Sequence, residues 1–171
     1  MNSLISCGII MVSDKKYLQW CAKQKNGIKL VKESTTLQKA YVKKSQEALK
    51  SMKINADAGI DEWAVSASYY AKYFIIYALL SRLGIKCEIH DCTIALFIHV
   101  FENDVTPKFL QDLRQAKKDR VEAQYYTSVM KIDTIKLISE THEFVLQIEE
   151  ILDGIDSMRI SQIRKELKTI L

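Results

Sequence analysis

The chain has 171 residues, 48% of them hydrophobic and 27% charged, and its 25 basic and 21 acidic side chains leave a formal charge of +4. That length suits one domain with a real core, while five glycines and one proline are too few for a chain full of tight turns. The mild positive charge is compatible with a polyanionic partner without requiring one, and no charge-free apolar run of about eighteen residues is present to cross a membrane.

Residues 4–12 are apolar but lack a basic leader and a small-residue cleavage site, so no signal peptide is expected; Met11 stands as an alternative start to Met1. Cys7, Cys21, Cys87 and Cys92 form no disulfide framework, and reduced thiols in a cytoplasm are expected. Residues 14–32 read as a short helix around Tyr17, Leu18 and Cys21, an Asn26–Gly27 turn and a brief extended piece. Residues 1–33 are therefore assigned as an N-terminal docking segment, 34–130 as the helical core and 131–171 as helices completing the same domain.

From Ser34 or Thr35 an amphipathic helix is expected, with Leu37, Ala40, Tyr41, Ala48, Leu49 and Met52 inward and Lys39, Lys43, Lys44 and Lys50 mostly opposite. After a loop at 55–59, residues 61–84 (DEWAVSASYYAKYFIIYALLSRLG) make a helix of about six turns, capped by Asp61 and stopped by Gly84. One stripe holds Trp63, Tyr70, Phe74 and Tyr77; another holds Ala64, Ala67, Ala71, Ile75 and Ala78. A helix apolar all round is central to a bundle or lies in a membrane. Lys72, Ser66, Ser68 and four tyrosines argue against lipid. A third helix starts at His90 or Asp91 and breaks at 102–104. Thr106–Pro107 opens a fourth that runs to about Tyr126, a fifth spans roughly 133–152, and Asp156 caps a sixth. The fold class is all-α: an up-and-down antiparallel bundle of five to six helices.

The fourth helix breaks its own pattern. Phe109, Leu113, Ala116, Ala123 and Thr127 form its inward stripe, and Arg120 lies on that stripe. An arginine there either covers the core with its stem while its head reaches water, Asp119 or Glu122, or is held at a groove to bind phosphate. Arg114, Lys117 and Lys118 lie upstream, Gln124 follows one turn later, and Tyr125 and Tyr126 offer surfaces for base stacking. Cys87, His90 and Cys92 are three soft ligands in six residues, short of the four of structural zinc, so no metal is expected and a loop-to-helix junction with a buried thiol is the plainer reading. His99 reads as a satisfied core histidine and His142 as surface. No phosphate loop, HExxH or paired-carboxylate constellation occurs, and no cofactor is expected.

Four stretches in order, KAYVKKSQEALKSM, WAVSASYYAKYFIIYALLSRLGIK, EIHDC and DRVEAQYY, cover much of residues 36–126. Together they resemble the HEPN (higher eukaryotes and prokaryotes nucleotide-binding) domain, in its small stand-alone prokaryotic branch. The resemblance implies a helical bundle that pairs into a homodimer. Many family members are metal-independent ribonucleases, often toxins neutralised by a nucleotidyltransferase partner, whose site needs an arginine and a histidine four to six residues later. Arg120 matches the arginine; the histidine's window holds Tyr125, Tyr126 and Thr127 instead. The expectation is a dimer binding nucleotide or RNA around Arg120, Gln124, Tyr125, Arg114, Lys117 and Lys118 without catalysis. The alternatives are a ribonuclease whose base is His90 or Glu122, with Arg120 catalytic, and a purely structural dimerisation bundle.

Overall fold

Local signals set most of the boundaries. In the computed structural model, which describes residues 15–126 and 132–171, the elements are α1 (Lys15–Lys23), β1 (Lys29–Leu30), α2 (Thr35–Asp57), α3 (Asp61–Arg82), β2 (Ile85–Lys86), α4 (His90–Phe101), α5 (Pro107–Tyr125), α6 (Thr134–Gly154) and α7 (Ser157–Ile170). The hydroxyl of Ser34 accepts from Leu37 N, that of Thr106 from Phe109 N, and the carboxylates of Asp133 and Asp156 from Lys136 N and Arg159 N. Each satisfies a donor that an α-helix leaves free at its start. Asp61 is not a cap: Ile60 holds that position without a side-chain bond, and Asp61 and Glu62 lie in the first turn, where carboxylates meet the positive end of the helix. The expected stripe residue Thr127, the apolar run at 4–12 and Cys7 lie outside the described residues.

α3 is the axis. Val65, Tyr69, Ile75, Ile76, Leu79 and Leu80 are all buried, and each of the large aliphatic side chains contributes roughly 1.5–3 kcal/mol by leaving water. α2 folds back on α3 as a hairpin through the turn at 58–60, with Ser45 Oγ donating to the Ala71 carbonyl across the seam (2.8 Å). α5 runs antiparallel to α3, bringing Ala116 against Tyr69, Tyr73 and Tyr77. α6 runs parallel to it, with Ser68 meeting Thr141 and Lys72 meeting Phe144. Two short strands, paired Lys29 to Lys86 and Leu30 to Ile85, fasten the N-terminal segment to the loop before α4. The all-α bundle is as expected, with short α1 beside the six longer helices. Among the described residues no helix is long and apolar enough to cross a membrane.

Three expectations are corrected. Leu37 and Ala40 are exposed, and the inward face of α2 turns instead on Ser45, whose small side chain admits the α3 backbone. Trp63, placed on an apolar stripe, is 60% exposed because it lies in the first turn of α3, beyond the packed neighbours. The thiols are not all free: Cys21 and Cys92, both fully buried, form a disulfide that joins α1 to α4. Docking α1 on α4 brings the two together across 71 residues of sequence, which no spacing argument reveals. Cys87 is a free, buried thiol pushed up by desolvation. Among the described residues, no three His, Cys, Asp or Glu side chains group as metal ligands.

Gly84 and Gly59 both have a left-handed φ, of 66° and 69°. A Cβ on Gly84 would stand 2.6 Å from the Val31 carbonyl oxygen, whereas one on Gly59 would meet open space. Gly59→Ala should therefore cost about 1 kcal/mol of unfolding free energy and Gly84→Ala about 3 kcal/mol. Urea denaturation of both variants checks this; equal losses would show that the approach of Val31 is not limiting.

Candidate functional site

The spacing of tyrosines on α3 starts the site. Residues 69, 70, 73, 74 and 77 recur by one, three and four, so their rings stack along neighbouring turns of one flank. Tyr69 and Tyr73 lie with ring centroids 5.8 Å apart, and Tyr70 and Phe74 at 5.7 Å. α4 brings His90 onto this ladder: its imidazole stacks on Tyr73 (4.2 Å, 13° between planes), and its Nδ1 lies 2.6 Å from the Tyr69 hydroxyl. The turn that delivers His90 is held at the Cys87 carbonyl, which accepts from both Thr93 Oγ1 and the Tyr77 hydroxyl.

α5 closes the other side. The guanidinium of Arg120 lies 5.9 Å from the ring centre of Tyr69 and 5.4 Å from that of Tyr70, and Nη2 donates to the Tyr70 hydroxyl at 2.9 Å. Such cation–π placement stabilises a half-buried cation. Arg120 Nε is buried and has no hydrogen-bond partner among the described residues. One turn earlier, the ammonium of Lys117 pairs with Asp91, the neighbour of His90. Among the described residues the bonded partner of Arg120 comes from α3 and not from a carboxylate of its own helix.

Burial sets the proton positions. Desolvation raises the Tyr69 phenol far above its ordinary value, with Tyr73 adding to the effect and Arg120 opposing it. Tyr73 is pushed up to about 12, again chiefly by burial. Both phenols keep their protons at neutral pH. His90 is shifted the other way, below 6.5, first by burial and then by the positive charges of Arg120 and Lys117, against the pull of Asp91. Its ring is neutral near pH 7. The short contact fits two tautomers; the one in which Tyr69 O–H donates to Nδ1, with the ring proton on Nε2, keeps the buried phenol's proton bonded. In that tautomer Nε2 is a donor beside a guanidinium, an arrangement suited to gripping an anion rather than removing a proton.

The residues expected from sequence divide between two faces of α5. At about 100° per residue, Lys117, Arg120 and Gln124 share the half-buried inward side, and Arg114, Lys118 and Tyr125 share a stripe that is exposed. Lys117 and Arg120 are brought together with His90; Arg114, Lys118 and Tyr125 flank the cluster on the outer surface. Tyr69, Tyr70, Tyr73 and Asp91 were not foreseen, although the YYAKY run carried the signal: phenols at that spacing on a wholly buried helix need partners from elsewhere. His142 is exposed as expected. The His99 side chain is 8% exposed with Nε2 3.3 Å from Glu166 Oε1, but neither ring nitrogen has hydrogen-bond geometry, so it is not the satisfied core histidine expected.

His90 should titrate below 6.5, and Arg120→Ala should move its midpoint upward by removing the nearest cation. Because the folded-state value lies below the unfolded one, the unfolded chain takes the proton first, and stability falls as pH drops from about 6.5 toward the folded value. Imidazole NMR resonances of both proteins across that range check this. An unchanged midpoint in Arg120→Ala would mean that guanidinium and imidazole do not share a field.

Comparison with known proteins gives one family. The model of the HEPN domain matches residues 38–153, which takes in all of α3 to α5 and most of α2 and α6. No match is found among curated proteins. With more than half of the chain matched, and the all-α bundle in place around the tyrosine-rich α3, the chain belongs to the HEPN family.

Proposed function

We propose that this HEPN protein binds RNA or a nucleotide through phosphate at the Arg120–His90 cluster, and that it does so without catalysis. The observation that carries the reading is the guanidinium of Arg120, held over Tyr69 and Tyr70 with its Nε, among the described residues, unpartnered. A guanidinium so placed has donors left for phosphate, and its planar fork matches two phosphate oxygens at once. His90 supplies a further neutral donor at Nε2, and Lys117 a second cation balanced by Asp91. The exposed Arg114 and Lys118 extend positive charge along α5, and Tyr125, 71% exposed at its end, offers a face for a base. HEPN membership supports a homodimer as the working unit, with a nucleotidyltransferase-type protein as partner.

A second reading, a metal-independent ribonuclease, draws on one feature: a neutral imidazole within the field of Arg120. For His90 to take a 2′-hydroxyl proton through Nε2, the ring must first exchange tautomers, with Nδ1–H donating to the Tyr69 oxygen. The buried phenol would then lose its acceptor, at a cost of about 1–3 kcal/mol. That penalty favours binding over cleavage.

The test is a paired assay on labelled single-stranded RNA and on mononucleotides in EDTA, using wild type, Arg120→Ala and His90→Ala. Binding without cleavage is expected in wild type, weakened about tenfold to a hundredfold in Arg120→Ala, the range of a charge-assisted hydrogen bond or two. Cleavage that survives EDTA and disappears in both variants would make the protein a ribonuclease. Undiminished binding by Arg120→Ala would remove Arg120 from the site and leave it a packing role.

A further inference from the structure

The disulfide lies next to the candidate site. Cys92 is the third residue of α4, directly after His90 and Asp91, and its sulfur partner is Cys21 in the last turn of α1. Of the nine residues of α1 only Leu18 and Cys21 are buried, with Tyr17 packed partly against the core and Ala22 O accepting from Lys29 Nζ. Asp91, in the same turn of α4, adds after burial to the upward shift of the Tyr17 phenol. Asp91 in turn pairs with Lys117 of the site. A chain of contacts therefore runs from α1 through the first turn of α4 to Lys117 and His90.

The segment after α1 is fastened independently. Glu88 N donates to Asn26 O at 2.9 Å, and β1 pairs with β2. The turn at 24–28 carries the first of these anchors, Asn26; in it Gly27 N donates to Gln24 O, Ile28 N donates to Cys21 O, and a Cβ on Gly27 would collide with the Cys21 carbonyl. Opening of α1 about this turn would break the bonds from Ile28 N to Cys21 O and from Lys29 Nζ to Ala22 O, while the β1–β2 pairing can persist. Short elements with few buried apolar contacts open in this local way.

We propose that the Cys21–Cys92 disulfide is a thiol-sensitive lock on the phosphate site, closed when oxidised and released by a dithiol reductant; this rests on the binding reading above. The step is a two-electron exchange. A thiolate of the reductant attacks one sulfur to give a mixed disulfide, and its second thiolate displaces the chain. The products are Cys21 and Cys92 as two thiols, after proton uptake, and the reductant as a cyclic disulfide. Because both sulfurs are buried, attack proceeds through the opening of α1. Once freed, α1 no longer clamps the first turn of α4 at Cys92, and His90 keeps Tyr69 and Tyr73 as partners on a turn loosened on that side. α4 itself remains in place through Phe97, Ile98 and Phe101, which are buried on the bundle side. The covalent link thus governs the site more than the fold.

The test compares the full chain oxidised, the same chain reduced with dithiothreitol, and Cys21→Ser. Three readouts are taken: circular dichroism, the imidazole NMR signal of His90, and anisotropy of a labelled single-stranded RNA. Reduction should leave helix content nearly unchanged, shift the His90 signal, and weaken RNA binding about tenfold. Cys21→Ser should match the reduced protein and ignore reductant. Equal RNA affinity and an unmoved His90 signal in the two redox states overturn the lock, and so does cooperative loss of helix on reduction, which would make the bond a staple of the whole fold. If neither state binds RNA, the binding reading fails by itself and the His90 signal decides: a shift on reduction upholds the coupling, and none overturns it.

Discussion

A helix buried along nearly its whole length cannot leave its polar side chains to water, and that constraint on α3 organises the molecule. Buried hydroxyls and amines lose a few kcal/mol unless another element supplies a partner. Ser68 meets Thr141 of α6, Tyr69 meets His90 of α4, and Tyr70 accepts from Arg120 of α5. Lys72, 4% exposed, has the face of Phe144 on α6 within 5.5 Å, and burial lowers its pKa despite Asp112, Glu140 and Asp119. Ser66 Oγ alone among these α3 side chains stays buried without a hydrogen bond. Each partner fixes one neighbouring helix in register against α3. The polar groups that could have weakened the core thus specify how it is assembled.

The candidate site follows from the same requirement. Two adjacent phenols on one helix diverge by about 100°, so their partners must come from two different elements. Tyr69 draws in α4 and Tyr70 draws in α5, and the convergence of an imidazole and a guanidinium is a consequence. The aromatic ladder then does two things at once. It excludes water, which raises the phenols and holds the histidine neutral, and it offers ring faces that stabilise the arginine's charge. A half-buried cation interacts more strongly with a nearby charge than a fully solvated one, and among the described residues Arg120 Nε has no hydrogen-bond partner.

Within the HEPN family the arrangement departs from the pattern of an arginine followed by a histidine on one helix. Here the histidine comes from α4 and reaches the arginine's neighbourhood through a tyrosine. The difference is chemical as well as positional. His90 is bonded at Nδ1 to a phenol that burial keeps protonated. The same first turn of α4 carries Cys92, the disulfide partner of Cys21 in α1.

The sequence by itself determined the helices, because their signals are local. Ser34, Thr106–Pro107, Asp133, Asp156 and Gly84 act within one turn of where they stand, and the all-round apolar character of residues 61–84 requires a central position. Arg120 was legible too, as a charge on a stripe of Phe109, Leu113, Ala116 and Ala123. What only the tertiary structure decided is everything that joins residues far apart in the chain. The phase of α2 depends on Ser45 fitting the α3 backbone, the Cys21–Cys92 bond spans 71 residues, and Tyr69, His90 and Arg120 lie on three helices. Helical periodicity says which side chains share a face, but not which neighbouring helix that face meets; only the packing of several faces at once chooses among the alternatives.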